Sequence, residues 1–249
     1  MTQKTSLNQQ EIDNFSKDSA QWWDIDGPFA PLHKLNPTRM LYIKEQIQAH
    51  FADKNLSTEL KTPLKDLSAI DIGCGGGLVS ESLARMGAKT VGLDADPNAI
   101  TCAREHAKTS GLNVDYHNST SEDFLAQHGK TFDVVCALEI IEHVDNPEFF
   151  VETALKLLKP DGILILSTLN RTIRSAVLGI FAAEYVFNLV PKGTHSHEKF
   201  IKPSELARML RQCGAHHTDV TGLKYELKND GFVLDNTDLS VNYFMCAVK

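Results

Sequence analysis

Three side chains in the run Leu138-Glu-Ile-Ile-Glu-His-Val144 are of the types that move protons and bind metals: Glu139, Glu142 and His143. Spaced i, i+3, i+4, they share one face if the segment is a helical turn. Two carboxylates and an imidazole converging in this way suit a divalent cation, with Mg²⁺ or Mn²⁺ the natural choices. The same residues also work without a metal. His143 or Glu142 can act as a general base, and a histidine in such a turn can simply pack or cap. The spacing leaves these readings open.

A second group is Asp71-Ile-Gly73-Cys-Gly75-Gly76-Gly77, which follows an apolar run and opens a helical pattern. Glycines let the backbone turn tightly and let a ligand approach it closely. A dinucleotide fingerprint would read G-x-G-x-x-G; here the pattern is D-x-G-x-G-x-G and position 78 is leucine. A carboxylate before the first glycine suits a cationic ligand group or a bound water better than a pyrophosphate. S-Adenosylmethionine therefore fits this turn better than a nicotinamide dinucleotide. Asp94, 17 residues beyond Gly77, ends the next apolar run. A carboxylate there can accept from both hydroxyls of a ribose, a feature the two cofactors share.

These residues need a scaffold, and the hydrophobic periodicity describes one. Strands are expected over 67–72, 89–94, 113–117, 131–137 and 162–169, alternating with helices over 77–86, 97–109, 121–127 and 147–158. Such alternation implies a parallel sheet with helices on both faces. Leu138 then closes the fourth strand, where it can cover the adenine or the methionine part of the cofactor. A helix near 203–213, a strand near 216–223, a turn at Asn229-Asp230-Gly231 and a last strand in 241–248 add a late hairpin. The expected fold class is α/β: a Rossmann-like, mostly parallel seven-stranded sheet with an antiparallel last strand. Upstream, residues 8–23 look helical, and 22–37 form a turn-rich connector holding Trp22 and Trp23, read as packing residues. Asn36 as N-cap and Pro37 in the first turn start a helix over 37–51.

About 33 residues, 170–202, separate strand five from the helix at Pro203. An ordinary connection has roughly 2–6 residues, and an excess of this kind is usually functional. The stretch 173–190 is apolar apart from a thin polar stripe of Arg174, Glu184 and Asn188. It reads either as a buried helix or as a lid that lies on a membrane surface and guards an apolar path. His195, just beyond it, is a weaker candidate for contact with the substrate.

The composition narrows the function. A net charge of −7 and a pI near 5.8 disfavour a nucleic-acid partner. Five scattered cysteines without a C-x-x-C pair read as reduced thiols of a cytoplasmic protein. The first residues carry no secretory or transit signal, and no 18-residue apolar run spans a membrane.

Over nearly its full length the chain resembles the ubiquinone-biosynthesis O-methyltransferases, which are class I S-adenosylmethionine-dependent enzymes. The resemblance is carried by WWDIDGPFAPLHKLNPTRMLYI (22–43), DIGCGGG (71–77), LEIIEHV (138–144), STLNRT (167–172) and AEYVFNLVPKGTHSHEKFIKPSEL (183–206). It implies methylation of phenolic hydroxyls on polyprenylated catechols at two steps of the pathway, 2-polyprenyl-6-hydroxyphenol and 3-demethylubiquinol. It places cofactor contacts at Arg39, Gly73, Asp94 and Leu138, beside Asp71 and Gly75 of the glycine turn, and a metal at Glu139, Glu142 and His143. Arg39 would clamp the cofactor's carboxylate in bidentate fashion. It further implies residues 1–66 as a helical extension capping the cofactor site and 67–249 as the methyltransferase domain. The expected partners are a polyprenylated phenol or quinol, membrane lipid touched through 173–190, and other ubiquinone-pathway enzymes. The expected location is cytoplasmic, peripheral on the inner face of the cytoplasmic membrane. The alternatives are a class I methyltransferase with an amine or tRNA acceptor, and a nicotinamide-dependent oxidoreductase.

Overall fold

The computed structural model describes residues 5–54, 59, 61–129, 131–176, 197–228 and 230–249. His195 and residues 177–190 of the expected lid lie outside them.

Eight strands form one sheet: β1 (Ser68–Ile72), β2 (Lys89–Asp94), β3 (Val114–Asn118), β4 (Phe132–Leu138), β5 (Leu158–Leu169), β6 (His216–Glu226), β7 (Gly231–Asp235) and β8 (Asn242–Val248). Their order is β3-β2-β1-β4-β5-β8-β6-β7. Strands β1 to β5 run parallel, and β8 is antiparallel to both β5 and β6. The antiparallel last strand is thus as expected, while the count is eight instead of seven. The added strand is β7, which pairs antiparallel with β6 across the turn at Asp230. Asp230 lies in the expected turn, Asn229 lies outside the described residues, and Gly231 already opens β7, whose five half-buried residues show no alternation to mark a strand.

Helices flank the sheet: α1 (Gln9–Ser16), α2 (Ala30–His50), α3 (Leu78–Arg85), α4 (Pro97–Thr109), α5 (Ser121–His128), α6 (Pro147–Leu157) and α7 (Pro203–Gln212). Strand residues alternate between two cores, as a period of two requires. Ile70, Ile72, Val135, Ala137, Leu164 and Leu166 join the core containing Phe124 of α5 and Phe150 of α6. Ala69, Val134, Cys136, Ile163, Ile165 and Phe244 join the core with Tyr42 and Ile47 of α2 and Leu83 of α3.

Helix α2 departs from expectation. It begins at Ala30 with Pro31 in its first turn, so Pro37 lies inside the helix and Asn36 does not cap it. The Asn36 amide instead donates to Ser82 Oγ at 3.1 Å. An interior proline removes one backbone hydrogen bond and costs about 3 kcal/mol. The helix persists because Leu35, Tyr42, Ile43 and Ile47 bury one continuous face on both sides of that break. The helix expected over 8–23 is likewise α1 followed by a separate 3₁₀ turn, Ser19–Gln21.

The sheet order reverses between β1 and β4. Crevices at such switch points, beyond the carboxyl ends of the strands, are where open α/β sheets bind ligands. Ile72 pairs with Ala137 in register, so the chain leaves β1 at Gly73 and β4 at Glu139 side by side. The two motifs, more than 60 residues apart in sequence, meet there.

Candidate active site

A cavity of about 320 Å³ opens at this switch point, walled by both motifs and by the N-terminal segment. At the glycine end, Gly75 has φ +52 and donates its N–H to Asp94 Oδ2 at 2.8 Å. Asp94 Oδ1 accepts from the Asp96 N–H, also at 2.8 Å. Each carboxylate oxygen has a further lone pair for a hydroxyl donor. Burial pushes Asp94 up to about 6 against these two backbone bonds. Asp71 is buried beneath the turn, accepts the Ser80 hydroxyl at 2.7 Å, and is likewise pushed up by burial to about 6.

Arg39 reaches the same cavity from α2. It is 5% exposed, and its Nε finds no partner among the described residues. Burial lowers its pKa, while Glu139 and Asp71 oppose that loss. A buried guanidinium in the wall of a cavity, with a donor unspent among the described residues, suits an anionic oxygen. Leu138, 8% exposed, forms the wall between the two ends.

At the other end the turn after β4 does not form the shared helical face expected for Glu139, Glu142 and His143. Glu139 sits in the left-handed region at φ +54, and only Ile141–His143 are helical, as a 3₁₀ turn. The left-handed residue takes Glu139 out of the helical turn that holds the other two. Its carboxylate accepts from the Ser167 hydroxyl at 2.5 Å and the Asn242 amide at 3.0 Å. Glu142 is buried and accepts the Thr168 hydroxyl at 2.8 Å. Burial first, then the nearby Glu139 charge, pushes it up to about 7. His143 Nδ1 lies 3.2 Å from Glu11 Oε2 of α1. Burial disfavours its charged form, but the carboxylates of Glu11, Glu142 and Glu139 outweigh this and raise its pKa.

These residues have the right chemistry for a divalent cation but the wrong arrangement. Among the described residues no three His, Cys, Asp or Glu side chains come together as a ligand set. The three side chains are instead held by separate partners: Glu139 by Ser167 and Asn242, Glu142 by Thr168, and His143 Nδ1 by Glu11. The turn as folded does not fit a three-ligand metal.

Two contributions escaped the sequence reading. Trp22 lies on the glycine turn: a Cβ added at Gly75 would stand 2.3 Å from its ring. The neighbouring Trp23 donates its indole N–H to the Gly76 carbonyl at 2.9 Å and stacks on His106 at 3.4 Å. The pair of tryptophans in a polar stretch was the available signal, since such surface is costly to leave in water. Glu11 is the second, and nothing in its local sequence marks it.

A family description, methyltransferase domain, matches residues 43–218. A ubiquinone biosynthesis O-methyltransferase from Sinorhizobium fredii is 44% identical over 248 residues, spanning 100% of this chain and 98% of that protein. One from Cereibacter sphaeroides is 44% identical over 249 residues, spanning 100% and 99%. Among solved structures, the magnesium protoporphyrin IX methyltransferase of Synechocystis with bound SAM superposes with a TM-score of 0.60 at 18% identity, over 99% of this chain and 100% of that one. A plantazolicin methyltransferase superposes with a TM-score of 0.62 at 17% identity, over 97% and 98%. At such identities these two structures establish a common fold.

Proposed function

The chain belongs to the ubiquinone biosynthesis O-methyltransferases, and from that premise we propose that it methylates phenolic hydroxyls of polyprenylated catechols with S-adenosylmethionine as donor. Its acceptors are 2-polyprenyl-6-hydroxyphenol and 3-demethylubiquinol. The observation that carries this reading is the single cavity, which joins a glycine turn with Asp94 and Arg39 at one end to Glu142 and His143 at the other.

The donor's end of the cavity fits its ligand. Arg39 offers an unpartnered guanidinium Nε to a carboxylate, Asp94 accepts from a ribose diol, and Gly73 and Gly75 keep the turn free of side chains. Asp71 adds negative charge for a cationic group, and Leu138 covers the cofactor from the β4 side. When bound, S-adenosylmethionine supplies an electrophilic methyl group on a cationic sulfur. The chain must deprotonate the acceptor, because a phenol with pKa near ~10 is a poor nucleophile. His143 takes that proton as general base. The buried Glu142 beside it, its charge disfavoured, offsets the imidazolium that results.

Residues 1–66 act as a helical extension over the cavity, supported by the placement of Glu11, Phe15, Ser19 and Trp22 in its wall. Residues 67–249 carry the catalytic sheet. The apolar insertion at about 170–202 admits the prenyl chain and touches membrane lipid, which makes the protein peripheral on the inner face of the cytoplasmic membrane, among other enzymes of the pathway. Ile173 at its start, 85% exposed, supports this apolar path. No helix among the described residues is long and apolar enough to cross a membrane.

The test is transfer of labelled methyl from S-adenosylmethionine to a short-chain prenylated catechol, with and without EDTA. Transfer that persists in EDTA is expected. Loss in EDTA and return with Mg²⁺ would reinstate the Glu139, Glu142 and His143 metal site. Cofactor binding without transfer would refute the acceptor.

A further inference from the structure

His143 takes its support from a residue 132 positions away in the chain. Glu11 Oε2 meets its Nδ1 at 3.2 Å, and the other oxygen of Glu11 accepts from Lys199 Nζ at 2.9 Å, near the end of the insertion. The Glu11 side chain is only 13% exposed, so protein contacts fix its direction. Phe15, one turn on, sets its ring edge-on to the imidazole, with centroids 5.2 Å apart and planes at 90°.

The helix bearing both residues is pinned at its start. Its N-cap Asn8 donates to Asp145 Oδ1 at 2.6 Å, Asp145 donates its N–H to the Ser6 carbonyl at 2.9 Å, and the Ser6 N–H donates to Glu122 at 2.8 Å. Yet α1 buries none of its own residues. A helix without a fully buried residue contributes little to a core; its side chains reach His143 through Glu11 and Phe15, and Asp96 and Asn98 through Ser16.

We propose that Glu11 is a positioning residue for His143: delivered by α1, its carboxylate holds the imidazole in the Nδ1–H tautomer and aims Nε2 at the acceptor hydroxyl. The active site is complete only when α1 is docked. This rests on the reading of His143 as general base given above. In the step so supported, the phenolic proton passes to Nε2 and an oxygen lone pair forms the new bond to the methyl carbon. The carbon–sulfur bonding pair leaves with sulfur, turning the sulfonium into a thioether. Glu11 takes no proton; it orients the ring and steadies the imidazolium, as the carboxylate does in a base–orienter pair.

The experiment compares full-length wild type, Glu11→Gln, His143→Ala and the double variant. For Glu11→Gln we expect kcat to fall roughly 10- to 100-fold, with the Kd for S-adenosylmethionine and the KM for the acceptor unchanged. The double variant should be no slower than His143→Ala. Nitrogen-15 NMR of His143 should show one tautomer in the wild type and a mixture in Glu11→Gln. A wild-type kcat in Glu11→Gln, with His143→Ala impaired, would overturn the positioning role and leave the base in place. A wild-type rate in His143→Ala would remove the base, and the positioning role with it. The tautomer decides even if Glu11→Gln also weakens cofactor binding, since an unchanged His143 spectrum overturns the proposal.

Discussion

Gly75 shows how little tolerance the site has at the level of a single atom. Its backbone is in the left-handed region, and a Cβ there would meet the Trp22 ring at 2.3 Å. Trp22 cannot retreat easily, because its other face is stacked on Phe29 with centroids 3.9 Å apart. Gly75→Ala should therefore destabilise the protein by about 1–3 kcal/mol and weaken S-adenosylmethionine binding, since the Gly75 N–H also holds Asp94. Thermal melts and a binding titration measure both effects; an unchanged Kd would contradict this account of the turn. The need for glycine here was legible in the D-x-G-x-G-x-G pattern. The tryptophan that enforces it was not, because it arrives from more than 50 residues upstream.

At the level of elements, α1 and α2 divide the work of the N-terminal segment. Helix α2 is core: Tyr42, Ile43 and Ile47 are essentially inaccessible, and it carries Arg39 into the cavity. Helix α1 holds Glu11 and Phe15 against the catalytic turn, and none of its residues is fully buried. Removal of residues 1–16 should accordingly leave a cooperative unfolding transition and bound cofactor, while methyl transfer drops at least about tenfold. Circular dichroism melts and single-turnover assays separate these outcomes; a truncated protein with full activity would show that α1 is dispensable. The strand–helix alternation that built the sheet could be read directly, since period two and period 3.6 are local properties of the chain. The start of α2 was misread because Asn36-Pro37 satisfies a local capping rule, whereas burial of the apolar face on both sides of Pro37 overrides it.

For the molecule as a whole, the buried acids govern its response to pH. Asp71 and Asp94 are each raised to about 6, from 3.8 in the unfolded chain. Between those values the folded protein retains protons that the unfolded chain has lost, so their contribution to stability declines as pH rises from about 4 to about 6. Glu142, raised to about 7, acts in the same sense. The raised His143 contributes stability below its unfolded value and loses it as pH climbs through the folded one. The free protein should therefore melt at a lower temperature near pH 7.5 than near pH 5, whereas S-adenosylmethionine should bind more weakly below about pH 6, where Asp94 and Asp71 lose their charge. Calorimetry and titration at the two pH values test the opposed signs; parallel trends would refute them. The sequence by itself determined the parallel sheet, the cofactor turn and the identity of Asp94, Leu138, Glu142 and His143 as candidates, because each is encoded by residues adjacent along the chain. Only the tertiary structure decided that Glu139 accepts from Asn242, that Trp22 lies on the glycine turn, and that Glu11 meets His143. Those are contacts across more than 50 and more than 100 residues, set by how the strands reverse order and how the N-terminal helices pack over the crevice.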